Sequence, residues 1–152
     1  MFNPRKKKRH LRAERVLKIF NRSYTTKKLH DETKKTLKHV LRELIDLKRK
    51  IRFISLRTIS ESKLIDLLTE IEQLSEKIIP YESDKDIGED IKMTLEHLRE
   101  AESLLSQRNS FTSALEIDRG IHALTDAIAI FEMNEWKIDI SRKFNNSEYL
   151  PK

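Results

Sequence analysis

The chain has 152 residues, 38% of them apolar and 37% charged, with 31 Lys and Arg against 25 Asp and Glu for a formal net charge of +6. That length can bury a core without staples, and plentiful, regularly spaced Leu and Ile exclude a chain that is disordered by composition. The absence of cysteine excludes a disulfide framework and a thiolate metal site and fits a reducing, cytoplasmic setting. No apolar run approaches the ~18 residues of a membrane span, and Arg12, Arg15 and Lys18 interrupt what would otherwise follow a basic start as a secretory signal.

Charge is unevenly divided. Residues 1–60 carry 20 basic against 5 acidic side chains, whereas residues 61–152 carry 11 against 20. Such polarity implies an acidic partner for the first half, attraction between the halves, or both. Only two glycines and three prolines punctuate the chain, which predicts long helices joined by short turns rather than many strands.

Asn3 followed by Pro4 is a helix-start signal. A first helix is predicted over 4–22, with Leu11, Val16 or Leu17, Ile19 and Phe20 on one side; it is too poor in apolar surface to stand alone. Residues 21–26 read as a loop with Ser23, Thr25 and Thr26 as candidate caps. A second helix, 26–55, carries Leu37, Val40, Leu44, Leu47, Ile51 and Ile54 at alternating steps of three and four, an a/d seam. The run Thr58-Ile59-Ser60-Glu61 has the form of a capping box for a third helix seamed by Leu64, Leu67, Ile71, Leu74 and Ile78 and stopped by Pro80.

Residues 81–87 form the longest and most polar loop of the core region. A fourth helix, 86–106, presents Ile87, Ile91, Leu95, Leu98, Ala101 and Leu105. Ser110 is predicted to cap a fifth, running to about 143 on Ala114, Ile117, Ile121, Leu124, Ile128 and Phe131, with Met133, Trp136 and Ile140 on a rotated face and Trp136 expected in the core. The expected fold is therefore all-α: an antiparallel four-helix up-down bundle over 26–144, preceded by a short basic N-terminal helical arm at 1–25 and followed by a frayed tail at 145–152. Residues 101–131 are faintly similar to one helix pair of a tetratricopeptide repeat, a common look.

The chemistry-bearing sets follow from this layout. Arg5, Lys6, Lys7, Lys8 and Arg9 crowd five charges into one and a half turns, and Arg12, Arg15 and Lys18 continue them. Phosphates bind such an arm by counterion release, with little sequence preference; an anionic membrane surface is a weaker alternative, and the bland reading is a solvated terminus or one neutralised by the acidic half. Its form is also that of a nuclear import signal, a weak pattern. On the second helix Lys34, Lys38, Arg42, Arg49 and Arg52 fall in a band beside the seam, interrupted by Glu43 and Asp46. Phe53 is the one aromatic there, so contact with a duplex backbone rather than base stacking is the expected mode.

Leu29-His30-Asp31-Glu32, followed by Leu37, Val40 and Leu44, resembles the phosphoacceptor helix in the dimerisation domain of two-component sensor kinases. The resemblance covers residues 29–79 and implies His30 as phosphoacceptor with Asp31 orienting its imidazole. Lys34 and Lys35 stand where that family has a small residue and a glutamine, and nothing after Pro80 resembles its ATP-binding domain. The acidic loop 82–90 lacks calcium-loop spacing, and Glu-x-x-His, the di-iron signature, does not occur.

The sequence thus predicts a non-enzymatic bundle without cofactor or metal, whose basic half contacts an acidic partner: DNA or RNA phosphates first, an acidic protein surface second. The alternative is a regulator or adaptor acting through helix–helix contacts as a homodimer, for which Ile45, Ile65 and Leu68 lie off the seams. Phosphotransfer or kinase docking through His30 is third.

Overall fold

The computed structural model describes the backbone of residues 4–55 and 57–145 and the side chains of residues 29–55 and 57–141. All regular structure among them is helical: α1 (Pro4–Phe53), α2 (Glu61–Ile78), α3 (Gly88–Ser106) and α4 (Ser110–Asn145), with a 3₁₀ segment at Ile79–Ser83. The chain divides into two units, residues 1–35 and 36–152. No described helix is long and apolar enough to cross a membrane.

The first unit holds the N-terminal part of α1. Its helix runs without a break through residues 21–26, where caps and a loop are expected from the sequence. That stretch contains neither glycine nor proline, and Ser and Thr within a helix cost only tenths of a kcal/mol, so nothing there forces a stop. Among its described side chains Leu29 is exposed, and the Thr33 hydroxyl donates to the Leu29 carbonyl at 2.8 Å. The basic cluster from Arg5 to Lys18 lies outside the described side chains, and residues 146–152 lie outside the described backbone.

In the second unit four helical segments pack together around one core. Steps of three and four keep an apolar stripe on one side of a helix of 3.6 residues per turn, and the stripes meet as that rule requires. Leu37, Val40, Leu44, Leu47 and Ile51 of α1 are wholly buried. They join Leu64, Leu67, Ile71, Leu74 and Ile78 of α2, Ile91, Leu95, Leu98 and Leu105 of α3, and Ile117, Leu124, Ile128 and Phe131 of α4 in one cluster. Each of the larger side chains contributes about 1.5–3 kcal/mol by leaving water, and this tertiary burial is what sustains helices of such charge-rich sequence.

Turn chemistry differs from the sequence expectation at two helix starts, and the exit from α2 before Pro80 is as expected. The N-cap of α2 is Ser60, whose hydroxyl accepts from the Lys63 amide at 3.3 Å, while Thr58 donates to the Ser55 carbonyl. Glu61 is therefore the first helical residue, too early to close a capping box. Likewise α4 is capped one residue ahead of Ser110, by the Asn109 side chain accepting from the Thr112 amide at 3.2 Å. Pro80 falls in the 3₁₀ segment, which tightens the exit from α2.

The polar loop is a built turn. Asp84 accepts through Oδ1 from the amides of Asp86 and Ile87, and its carbonyl accepts from Gly88 at 3.0 Å. A Cβ at position 88 would stand 2.6 Å from the Glu82 carbonyl oxygen, so only glycine lets these backbones approach. At the other end of the core, Arg108 has φ 59° and closes α3 with the amide of Arg108 bonded to Leu105 and that of Asn109 to Leu104, a Schellman arrangement. Its guanidinium donates to the Ile59 carbonyl at 2.9 Å, tying the turn before α4 to the one before α2.

One core assignment is overturned. Trp136 is 62% exposed, and so are Met133 and Ile138, although Ile138 continues the stripe seven residues after Phe131: the buried core ends at Phe131, and α4 runs on past it.

Candidate functional site

The basic band on α1 is sorted by its neighbours. Lys38 pairs with Glu132 of α4 at 2.8 Å. Lys48, which lies outside the band as read from the sequence, pairs with Asp118 of α4 at 2.5 Å. Lys50 reaches Glu70 of α2 at 3.6 Å. Arg42, Arg49 and Arg52 are exposed and form no ion pair among the described residues. Their spacing of seven and three places them on one stripe of α1, with half-buried Ile45 between them. Lys34 is half-buried in the first unit, as is His30 beside exposed Asp31.

Along that stripe α1 and α4 leave an open groove of about 580 Å³. From α1 it is lined by Ile45, Lys48, Arg49, Arg52 and Phe53, and from α4 by Asp118 and Ile121. A second cleft, sharing Lys48, Arg52 and Asp118 with the first, adjoins it toward the start of α4 and adds Phe111, Ala114 and Leu115. Phe53 is 88% and Phe111 79% exposed, so two aromatic rings stand in solvent beside the unpaired arginines. Burying such rings on a partner is worth more than any exposed ion pair.

Lys48 and Asp118 occupy the middle of the groove. The hydrogen bond from Lys48 holds the Asp118 carboxyl below its ordinary range; the charges of Lys48 and His122 reinforce it, and burial works against it. The nearby His122 Nε2 stands 3.5 Å from the other carboxylate oxygen. With Lys48 neutralised in this way, the groove's net charge is that of Arg49 and Arg52.

A second polar constellation braces α3 on α4. Glu116 is buried, with Oε2 2.8 Å from His97 Nδ1 and Oε1 bonded to the Arg119 guanidinium. Both carboxylate oxygens are thereby occupied, as a buried charge requires. Among the described residues no group of three or more His, Asp or Glu is arranged to hold a metal ion.

Compared with family models, curated proteins and solved structures, the chain matches none.

The arginines are legible in the sequence as a band beside the seam, whereas the apolar half of the groove is not. Phe53 and Ile45 were legible as apolar residues off the seam, but Phe111 and Leu115 sit beside a seam that gives no reason to expect them in solvent. Ile121, expected in the core, packs against it half-buried and also lines the groove.

Proposed function

We propose that this chain is a non-enzymatic helical-bundle binding protein that contacts an acidic partner through the exposed face of α1. The observation that carries the reading is the arginine stripe: Arg42, Arg49 and Arg52 stay exposed and unpaired among the described residues while neighbouring Lys38 and Lys48 are neutralised by α4. Guanidinium groups left in this state favour carboxylate or phosphate oxygens, which they bind bidentately. The basic arm at 5–18 adds charge to the same half of the sequence.

We also propose an up-down antiparallel order of the four helices, which would lay the stripe along one side of the bundle. The sequence order of the cross-helix pairs favours it: Lys38 with Glu132 and Lys48 with Asp118, then His39 with Lys77 and Lys50 with Glu70, run in opposite directions along each helix pair.

Two partner classes fit an arginine stripe. Nucleic-acid phosphates would be held by charge alone, with a steep salt dependence. An acidic protein segment is favoured by a specific observation, the solvent-exposed Phe53 and Phe111 beside Arg49 and Arg52, since phosphate contact has no use for apolar rings in a groove that also holds a carboxylate.

The test is a salt titration of binding to a labelled DNA duplex, a labelled RNA duplex and an acidic protein, using the wild type and R42E/R49E/R52E. Salt-sensitive binding to any of them that the triple variant weakens at least about tenfold supports the reading. Binding to all three that the variant leaves unchanged removes α1's stripe from it, and charge reversal at Lys6, Lys7 and Lys8 then locates the contact in the arm.

A further inference from the structure

We infer that the groove between α1 and α4 seats an acidic amphipathic helix from a partner protein, its apolar anchors against Phe53, Phe111 and Leu115 and its carboxylates over Arg49 and Arg52. The inference rests on the acidic-partner reading above and names the partner's chemistry.

Three features of the groove select this occupant. Its lining is mixed in a definite way, with apolar side chains from both helices and positive charge only on the α1 side. A ligand with one apolar and one acidic face matches that division, and an amphipathic helix is the simplest element that has both. Charge complementarity follows from the pairing within the groove, because Asp118 cancels Lys48 and leaves the two arginines to be answered from outside.

Length gives the third. From Ile45 to Phe53 the α1 wall spans nine residues, eight rises or about 12 Å at 1.5 Å each, and anchors at i and i+7 of a docked helix stand about 10.5 Å apart. Two to three anchors at i, i+3 or i+4, and i+7 therefore match the length of that wall. The exposed rings are also where binding energy concentrates, since aromatic and arginine side chains dominate helix-in-groove interfaces.

The experiment uses the full chain and two labelled peptides of about 18 residues and identical composition, rich in Glu with Leu and Phe anchors. In one the anchors fall at i, i+4 and i+7; in the other they are scrambled. Anisotropy is read for the wild type, F53A/F111A and R49E/R52E, each first checked for helical content by circular dichroism. Both substituted pairs are exposed, so the fold is expected to survive them.

The amphipathic peptide is expected to bind at least about tenfold more tightly than the scrambled one, with F53A/F111A abolishing that difference and R49E/R52E weakening both peptides. Equal binding of the two peptides, lost in R49E/R52E and untouched in F53A/F111A, overturns the groove while leaving the acidic-partner reading standing. The same holds if only a duplex binds. If no acidic probe binds at any salt concentration, both fall. Self-association of the free protein that F53A/F111A removes, seen by sedimentation, would assign the groove to a second copy and overturn the inference.

Discussion

Lys48 of α1 donates to Asp118 of α4 across 2.5 Å, joining two residues 70 positions apart in the chain. Both side chains keep roughly a quarter to a third of their surface in water, so solvent screens the pair. Because the pair depresses the Asp118 carboxyl, its contribution is present above the unfolded carboxylate value of about 3.9 and is lost as pH falls through the folded one. Lys48→Met is expected to cost about 0.5–1 kcal/mol at neutral pH. Urea unfolding at pH 7 and again near pH 3 checks this, with the gap between wild type and variant closing in acid.

Glu102 should behave in the opposite sense. Burial first, and then the negative charge of Glu72, raise its carboxyl above the ordinary range against the opposing effect of Arg99. A raised folded value means that stability is lost as pH climbs through it, so the ionised form is a mild burden at pH 7. It also lies near the C-terminal end of α3, where the helix dipole disfavours negative charge. Glu102→Gln is expected to stabilise the protein by a few tenths of a kcal/mol at pH 7 and to give no gain in acid, by the same unfolding measurement.

The two glycines separate under one substitution. At Gly88 the Cβ of alanine would meet the backbone carbonyl of Glu82 at 2.6 Å, in a turn that the Asp84 side chain holds by two amide bonds. Gly88→Ala should destabilise by roughly 2 kcal/mol or more. At Gly120, inside α4, the nearest atom would be Leu98 Cδ2 at 3.5 Å, an ordinary contact. Gly120→Ala should therefore gain about 0.5–1 kcal/mol of helix propensity. Melting temperatures of the two variants should move in opposite directions.

Arg108 combines a left-handed backbone with a side-chain bond to Ile59. Replacing it by alanine keeps the backbone cost and removes the bond, whereas glycine removes both. Arg108→Gly should exceed Arg108→Ala in stability by about 1 kcal/mol. Equal stability of the two variants by denaturant unfolding would show that the left-handed conformation is not retained.

Much of the core was legible without coordinates. Leu37 through Ile51, Leu64 through Ile78 and Ile91 through Leu105 repeat at three and four, and each of these stripes is buried. Caps were less so: hydroxyls at Thr58 and Ser60 compete for one helix start, and only the path of the chain after Ser55 decides between them. Trp136 misled because its size argues for burial, yet the buried core of α4 ends at Phe131, five residues earlier.

By itself the sequence determined that the chain is helical and which side chains line its core, since helix period and apolar spacing are local properties carried within each segment. It also located the basic surplus in the first 60 residues. What only the tertiary structure decided is which of those charges remain to meet a partner. Lys38 and Lys48 are answered by Glu132 and Asp118 while Arg42, Arg49 and Arg52 are left exposed, and Phe53 and Phe111 come to line two clefts that share Lys48, Arg52 and Asp118. Those outcomes depend on which helices become neighbours and at what register, because a pair attracts measurably only at contact distance in water, and contact between residues so far apart in the chain exists only after folding.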